Sequence, residues 1–310
     1  MKRLRGAPVI KAFVRSSLKS SWPLLGLFLL PLILFLPVTL GTRTLLPVDN
    51  LFIFEPYLSA AEELGVGQPH NALLSDLILE NYAWKRFIVQ SIEARQIPLW
   101  NPYLFAGAPF LANGQHSALY PLSVVFYILP LWRAFGVFVV LQLGLAGVCM
   151  FILARVLGIS RLGATIAGMT FELSGFLLVS AVHPMIIAAA GWLPLILAAI
   201  ELIIQQRPFR PPGRPEGQPA TVPWVLLGAL ALGCATLAGH AEALYFALLV
   251  SAFYTLWRLS YRLLTTPASE GEPRWRPLLR PAGWTIVMVL LGLGLGGIQL
   301  VPLAEVVNGS

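Results

Sequence analysis

Charged residues are scarce in this chain: only 11% of its 310 residues are Asp, Glu, Lys or Arg, whereas 57% are hydrophobic. A soluble domain uses about 25% charged residues to cover itself with a polar surface. The shortage therefore excludes a water-soluble globular domain, and the mean hydropathy of +0.77 supports the same conclusion. The composition predicts an all-α integral membrane protein built as a polytopic bundle of transmembrane helices.

Cysteine and histidine are scarce too, with two and four copies. Cys149 and Cys234 fall inside hydrophobic runs, where a disulfide or a metal site is not expected. No two histidines have the i, i+4 or HExxH spacing of a zinc site. We therefore assign no metal ligand and no cofactor, and the sequence leaves a requirement for a divalent metal open.

Long hydrophobic runs are abundant, and seven of them are predicted to span the membrane. At about 1.5 Å per residue, roughly 20 helical residues cross the ~30 Å hydrocarbon core. The predicted spans are residues 22–40, 135–157, 162–182, 185–204, 223–238, 241–263 and 283–303. A shorter run, residues 119–131, is broken by Pro121 and Pro130, which predicts a re-entrant or interfacial helix.

These spans divide a single transmembrane domain, residues 1–310, into three parts. They are a cytoplasmic N-terminus (1–21), an extracytoplasmic loop with amphipathic and interfacial helices (41–134), and six further spans (135–303). The basic segment before the first span lacks acidic residues, which predicts an uncleaved signal anchor. With the N-terminus in the cytoplasm, most of the 21 Lys and Arg lie on the cytoplasmic side, as the positive-inside rule requires. The sequence thus predicts a multi-pass protein of the cell membrane.

The net charge of +7 is accounted for by this topology and by attraction to anionic lipid. No basic face with interleaved aromatic residues indicates nucleic acid, so the expected partner is the lipid bilayer. The predicted topology puts all four histidines and most of the isolated acidic residues on the outer side. The functional face is therefore expected to be extracytoplasmic.

Residues 73–92 of the outer loop carry apolar side chains at three- and four-residue spacing, which is typical of an amphipathic helix. Asn71 or Ser75 is its predicted N-cap. Asp76 and Glu80 lie four residues apart near its start, so two carboxylates share one helix face beside the membrane. They are either an acidic first turn that suits the helix dipole or a pair with a chemical role.

Glu172 is an acidic residue near the middle of the third predicted span. A carboxylate at the bilayer centre costs at least about 2.5 kcal/mol on insertion scales, which makes it a functional candidate. We expect it to be protonated or hydrogen-bonded to Gln142 on the second span. Its role is either a structural polar contact or proton or substrate handling, and the second role keeps a membrane transporter or lipid flippase as the rival function.

Several motifs carry a resemblance to a known family. Together with Asp76 upstream, they are PLWNPY (98–103), FAGAPFLANGQ (105–115), ALYP (118–121), FELSGF (171–176), His183 with Pro184, GWLP (191–194) and AGHAEALYF (238–246). From about Leu46 onward the chain resembles the bacterial YfhO-like membrane protein family, which is similar to the GT-C glycosyltransferases. Those enzymes transfer a sugar from a polyprenyl phosphate to an acceptor on the outer side of the membrane. Family members are usually longer, so the resemblance implies an N-terminal portion or a truncated member.

The resemblance implies an inverting glycosyltransferase whose partners are a polyprenyl-phosphate-linked sugar and an envelope polymer acceptor. Its catalytic acid position corresponds to Asp76, with Asp49 as the second candidate; the family usually has a Gln after this acid, where this chain has Glu80 or Asn81. Phosphate and sugar contacts are expected from outer-side residues: Lys85, Arg86, Trp100, Asn101, Tyr103, His116, Arg133, His240 and Glu242. A non-catalytic scaffold of an envelope-polymer assembly is a third alternative.

The topology predicts that single cysteines at His70 and Gly213 react from opposite sides of the membrane in a chain lacking Cys149 and Cys234. His70→Cys should react with a membrane-impermeant maleimide in intact cells, whereas Gly213→Cys should react only after the cells are permeabilised. Labelling of both positions from one side would contradict the topology.

Overall fold

The computed structural model describes residues 22–104, 106–206, 221–265 and 273–309, and in them the fold is all-α with one two-residue strand pair. The predicted polytopic helix bundle is confirmed. The predicted cytoplasmic N-terminus (1–21) and Gly213 lie outside the described residues. The helices are, in chain order, α1 (Trp22–Leu34), α2 (Leu36–Thr39), α3 (Tyr82–Glu93), α4 (Phe110–Asn113), α5 (Val124–Ile128), α6 (Leu131–Val156), α7 (Arg161–Glu172), α8 (Gly175–Val179), α9 (Pro184–Ala190), α10 (Leu193–Ile204), α11 (Val222–Leu237), α12 (Ala241–Thr265), α13 (Arg276–Leu295) and α14 (Gly297–Gly309).

Five helical stretches of the described chain are long and apolar enough to cross a membrane, which indicates a membrane protein. They are α6, α7 with α8, α9 with α10, α12 and α13, while α1 and α11 are shorter apolar helices. In the apolar windows of α12 and α13 only 17% and 22% of the residues are buried. Their outer faces expose Phe253, Leu256 and Leu290. A continuous apolar exterior of this kind suits contact with lipid.

Two of these stretches, Arg161–Val182 and Pro184–Ile204, are interrupted. α7 ends at Glu172, and α8 begins at Gly175, where the hydroxyl of Ser174 accepts a hydrogen bond from the backbone N–H of Leu177 at 3.4 Å. α9 ends before Gly191, and Pro194 lies in the first turn of α10. Proline suits a first turn because it has no N–H to bond to a preceding turn, so the break before α10 is encoded locally.

The predicted seventh span, residues 283–303, is wrong in its bounds. α13 begins at Arg276 and ends at Leu295, and the chain turns at Gly296 into α14. A Cβ at Gly296 would lie 2.2 Å from Cγ2 of Thr236, so the missing side chain lets this turn contact α11 closely. Hydropathy alone did not reveal the turn because the residues after it remain mostly apolar.

The segment between α2 and α6 is a long loop with structure of its own. Its shorter elements are the 3-10 turns Val48–Ile53, Leu58–Ala60, Ala72–Leu74 and Pro121–Ser123, a π-helical turn Leu77–Asn81, and the antiparallel strands β1 (Trp100–Asn101) and β2 (Ala108–Pro109). The predicted amphipathic helix is confirmed: the π-helical turn runs directly into α3, and Leu77 and Ile88 are buried. Asn71 caps the 3-10 turn Ala72–Leu74 that precedes this helix, because its Oδ1 accepts a hydrogen bond from the N–H of Leu73 at 3.0 Å. α5 has five residues and is too short to cross the membrane, as predicted for residues 119–131.

The long loop packs on one end of the bundle, which we call the loop end. The hydroxyl of Ser117 donates to the carbonyl of Ala238 at 2.6 Å. Gly239, with φ of +86°, lies against Gly114: a Cβ there would be 1.9 Å from the Gly114 carbonyl oxygen. We call the opposite end the arginine end, because it carries Arg155, Arg161, Arg258, Arg262 and Arg276.

A buried ion pair joins α10 and α12 near the arginine end. Glu201 is 1% exposed, and its carboxylate accepts hydrogen bonds from the Arg258 guanidinium and from the Tyr254 hydroxyl, the latter at 2.7 Å. The side chain of Gln205 donates to the same carboxylate at 2.6 Å. A buried carboxylate is tolerated where a cation and further donors satisfy it, as they do here.

We expect Arg258→Met to destabilise the protein by about 3–5 kcal/mol, because it leaves the Glu201 carboxylate buried without its cation. The double change Glu201→Met with Arg258→Met should recover most of the loss, since both partners are then apolar. The measurement is the thermal unfolding midpoint in detergent. A double variant as unstable as Arg258→Met would contradict the importance of the pairing.

Candidate functional site

The loop end contains two adjoining cavities. The first, which we call the loop cavity, has a volume of about 660 Å³ and lies against α3, β1 and α4. Its polar lining includes one carboxylate, one guanidinium, one phenol and four carboxamides: Glu80, Arg86, Tyr103, Gln90, Asn101, Asn113 and Gln115. The volume falls in the ~300–1,000 Å³ range of small-molecule sites. Charged groups beside carboxamides and an exposed aromatic ring can hydrogen-bond and stack on a polar ring-shaped ligand.

The second cavity, which we call the interhelical cavity, has a volume of about 510 Å³ and lies between α4, α12 and α14. Its wall combines the polar groups of His240 and Gln299 with the apolar side chains of Leu244, Leu300 and Leu303. The two cavities share a wall made by Leu104, Asn113 and Gln115. Both walls are mainly apolar, the loop cavity has the larger number of polar side chains, and the shared side chains can contact ligands in both cavities.

The two predicted catalytic carboxylates lie outside both cavities. Asp76 is exposed at the start of the π-helical turn, one turn before Glu80, which lines the loop cavity. Asp49 accepts hydrogen bonds from the His70 backbone N–H at 2.9 Å and from His70 Nδ1 at 3.1 Å. The backbone hydrogen bond from His70 lowers the pKa of Asp49, and this carboxylate is occupied by a local contact. A catalytic role for Asp76 or Asp49 stays a prediction.

Lys85 and His116, two of the predicted ligand contacts, are enclosed under the loop. The Lys85 ammonium donates to the His116 carbonyl at 2.6 Å and lies 4.4 Å from the centre of the Phe126 ring. Burial lowers the pKa of Lys85 to about 7. The His116 ring stacks on Phe110, and its Nδ1 accepts from the N–H of Ala118 at 3.0 Å. Burial, with the nearby Lys85 charge, lowers the pKa of His116 to about 4, so both side chains act in packing the loop.

The aromatic and amide residues of the PLWNPY motif separate in the structure. Asn101 is 5% exposed and lines the loop cavity, and its Oδ1 accepts from the N–H of Tyr103 at 2.9 Å. Tyr103 is 80% exposed and contacts Phe87 edge to face. Trp100 instead covers Gly107, where a Cβ would lie 2.6 Å from the indole. Asn101 and Tyr103 therefore reach the cavity together, and Trp100 supports the turn behind it.

The remaining predicted contacts are spread over the loop end. His240 lines the interhelical cavity, and its Nδ1 accepts from the N–H of Ala243 at 3.1 Å as a cap of α12. Burial lowers the pKa of His240. Glu242 is exposed in the first turn of α12, and Arg133 stacks on Trp132 at 4.7 Å. Of the basic side chains among the predicted ligand contacts, Arg86 lines the loop cavity and His240 lines the interhelical cavity.

The predicted hydrogen bond between Glu172 and Gln142 is absent. Gln142 Oε1 instead accepts from the Tyr120 hydroxyl at 3.0 Å, which in turn accepts from Trp192 Nε1 at 3.0 Å. Glu172 is fully buried, and neither carboxylate oxygen has a hydrogen-bond partner among the described residues. It lies against Gly147, where a Cβ would be 2.0 Å from Oε2. Gly147 is more than one helical turn from Gln142, which explains why the two side chains do not meet.

Sequence reasoning missed several of the polar groups that the structure brings together. Gln299 lies within the predicted seventh span, and Asn113 and Gln115 lie in the FAGAPFLANGQ motif without a predicted role of their own. Glu201 carried a usable signal, because it is an isolated charge in a hydrophobic run, and Arg258 lies in another such run with Arg262 four residues later. Among the described residues, no three His, Cys, Asp or Glu side chains come together as a metal site. No family model, curated protein or solved structure matches the chain.

Lys85 makes a pH-dependent contribution to stability that can be measured. In the folded protein burial holds its pKa at about 7, whereas an unfolded lysine has a pKa of about 10.4. Between these values the unfolded chain binds the extra proton, so stability should rise with pH by up to ~1.4 kcal/mol per unit and flatten below about pH 7. Lys85→Met should remove this slope from the unfolding midpoint measured between pH 7 and 10. An unchanged slope would show that the lysine is solvated in the folded state.

Proposed function

We propose that this protein is a glycosyltransferase of the cell membrane that acts on the extracytoplasmic side. It transfers a sugar from a polyprenyl-phosphate donor to an acceptor of the cell envelope, as the resemblance to the GT-C-like family implies. The observation that carries the proposal is the pair of adjoining cavities at the loop end. The loop cavity, with its charged and carboxamide side chains, suits a sugar, and the interhelical cavity, with Leu244, Leu300 and Leu303, suits the lipid end of the donor.

Side orientation follows from charge. The arginine end carries most of the basic residues of the described bundle, and cytoplasmic ends of membrane proteins are rich in Lys and Arg. We therefore assign the arginine end and the N-terminus to the cytoplasm and the loop end to the outside. Lipid-linked sugar and envelope acceptor meet on that outer side.

The reaction needs few groups because the lipid phosphate is already a good leaving group. The acceptor hydroxyl oxygen forms a bond to the anomeric carbon from the face opposite the phosphate, and the bond from that carbon to the phosphate oxygen breaks. The leaving phosphate retains the bonding electron pair, and a general base takes the acceptor proton. This single displacement inverts the anomeric carbon.

Glu80 and Arg86 suit the two roles. Both are exposed and line the loop cavity, six positions apart along one helical segment. We assign Glu80 as the general base and Arg86 as the cation that stabilises the departing phosphate, because guanidinium binds phosphate through paired donors. Asp76, one turn earlier, is the alternative base. Asn101, Asn113 and Gln115 offer hydrogen bonds to sugar hydroxyls.

A transporter or lipid flippase is the second candidate, and one observation favours it. The helix breaks between α7 and α8, immediately after Glu172, a fully buried carboxylate without a hydrogen-bond partner among the described residues. Interrupted helices and isolated acidic residues are features of transporter sites. A transporter releases its substrate unchanged, so covalent transfer of the sugar distinguishes the two functions.

The test uses the full chain in liposomes with tritium-labelled glucose, mannose, galactose or N-acetylglucosamine on a polyprenyl phosphate, and an envelope fraction of the source cells as acceptor. General-base catalysis contributes about 10²- to 10⁴-fold, so Glu80→Gln should lower the rate of label transfer by roughly that factor. Glu93→Gln makes the same chemical change at an exposed position outside both cavities, and it should leave the rate unchanged.

Asp76→Asn decides between the two carboxylates. Near-parental transfer by Asp76→Asn beside a large loss in Glu80→Gln supports the assignment of the base. The reverse result moves the base to Asp76 and leaves the transferase proposal in place. Absence of covalent transfer with every donor contradicts the transferase itself.

A further inference from the structure

The arginine end has a small cationic cavity between α10 and α12. Its volume is about 170 Å³, and its lining includes Arg258, Tyr261 and Arg262 of α12 and Gln205, which directly follows α10. Arg258 and Arg262 are four residues apart, so they lie on one face of α12. Two guanidinium groups, a phenol and a carboxamide therefore surround one opening, and all four can donate hydrogen bonds to an anion.

The charge of this cavity is not fully balanced by its described contacts. Arg258 is paired with the Glu201 carboxylate. Arg262 donates to the backbone carbonyl of Ile204, which is a neutral acceptor. Two positive charges thus face one negative charge, and the excess charge is carried by Arg262. An anion at this position would gain charge-assisted hydrogen bonds.

An apolar crevice lies next to the cationic cavity along α12. It has a volume of about 510 Å³, lies between α10, α12 and α13, and is lined on α12 by residues from Leu248 to Leu259. Ile200 lines the crevice and Ile204, one turn later on α10, lines the cationic cavity. The cationic cavity lies between α10 and α12 and the crevice mainly between α12 and α13, so the two spaces are neighbours along α12.

The length of the crevice matches the depth of one leaflet. Residues 248 to 259 extend about 16 Å along a helix at about 1.5 Å per residue, which is half of the ~30 Å hydrocarbon core. The crevice lining is almost wholly apolar, and α12 and α13 expose most of their surface around it. A hydrocarbon chain that runs inward from the arginine end would fill this space.

We propose that the cationic cavity and the apolar crevice together bind one anionic phospholipid of the leaflet at the arginine end. Its phosphate contacts Arg262 and Arg258, and one acyl chain lies in the crevice. Basic pockets between transmembrane helices on the cytoplasmic side bind anionic head groups by the same chemistry. The site lies at the opposite end of the bundle from the two cavities of the loop end, and it does not depend on sugar transfer.

The experiment measures lipid binding to the purified full chain in a mild detergent by native mass spectrometry and by the thermal unfolding midpoint. The probes are phosphatidylglycerol, phosphatidylcholine of the same acyl chains, and inorganic phosphate. Phosphatidylglycerol should bind as one saturable copy and raise the midpoint. Phosphatidylcholine should bind more weakly, because its choline cation offsets the charge of its phosphate and is repelled by the two guanidinium groups.

Two variants address the head and the tail of the lipid separately. Arg262→Gln should weaken phosphatidylglycerol binding roughly tenfold, since it removes the unbalanced charge. Ala252→Phe should also weaken it, because Ala252 lines the crevice and a larger side chain fills part of it. Arg155→Gln is the matched control: this arginine lies at the same end of the bundle, outside both spaces, and its loss should leave binding unchanged.

Several results would overturn the proposal. Equal binding of phosphatidylglycerol and phosphatidylcholine would show that the net charge of the head group plays no part. An equal shift of the midpoint by inorganic phosphate would assign the cavity to a free anion. Undiminished lipid binding by both Arg262→Gln and Ala252→Phe would place the lipid elsewhere. A dimer in the native mass spectrum that binds no lipid and has the raised unfolding midpoint would make the crevice a subunit contact.

Discussion

The close contact between Gly114 in the long loop and Gly239 between α11 and α12 is the constraint on which the loop end depends. A side chain at Gly239 would collide with the Gly114 carbonyl, and the Ser117 hydroxyl bonds to Ala238 beside it. Asn113 and Gln115 flank Gly114 and form the wall shared by both cavities. The missing Cβ atoms therefore determine how near the loop lies to the bundle, and this distance determines the two cavities.

Buried polar contacts hold the rest of the loop in register. Lys85 reaches from α3 to the carbonyl of His116, and the His116 ring is held by two backbone groups of the same loop. Such contacts are costly to leave unmade in a dry interior, so they select one arrangement of the loop over others of similar apolar burial. Two residues with reactive side chains are thereby used to position the chain, and the exposed Glu80 and Arg86 are left to face the loop cavity.

The bundle is chemically asymmetric from end to end. The loop end carries carboxamides, aromatic rings and isolated acids around open cavities, whereas the arginine end carries guanidinium groups and one buried carboxylate. A protein that receives a lipid-linked substrate on one face and contacts anionic lipid on the other would show this division. The interior between the ends is apolar apart from a few groups, of which Glu172 lacks a hydrogen-bond partner among the described residues.

Composition and hydropathy determined the class of this protein, the approximate position of most of its spans and the amphipathic helix of the long loop. These depend on the local spacing of apolar residues and on the rule that backbone groups in lipid must be hydrogen-bonded within helices, so hydrophobic runs in the sequence are enough to predict them. The break at Gly296, the partners of Gln142 and the position of Glu80, but not Asp76, in the wall of the loop cavity were decided by tertiary structure. Each depends on which side chains of distant segments come within a few ångströms of one another, and hydrophobic pattern carries no information on such contacts because it is averaged over whole helical turns.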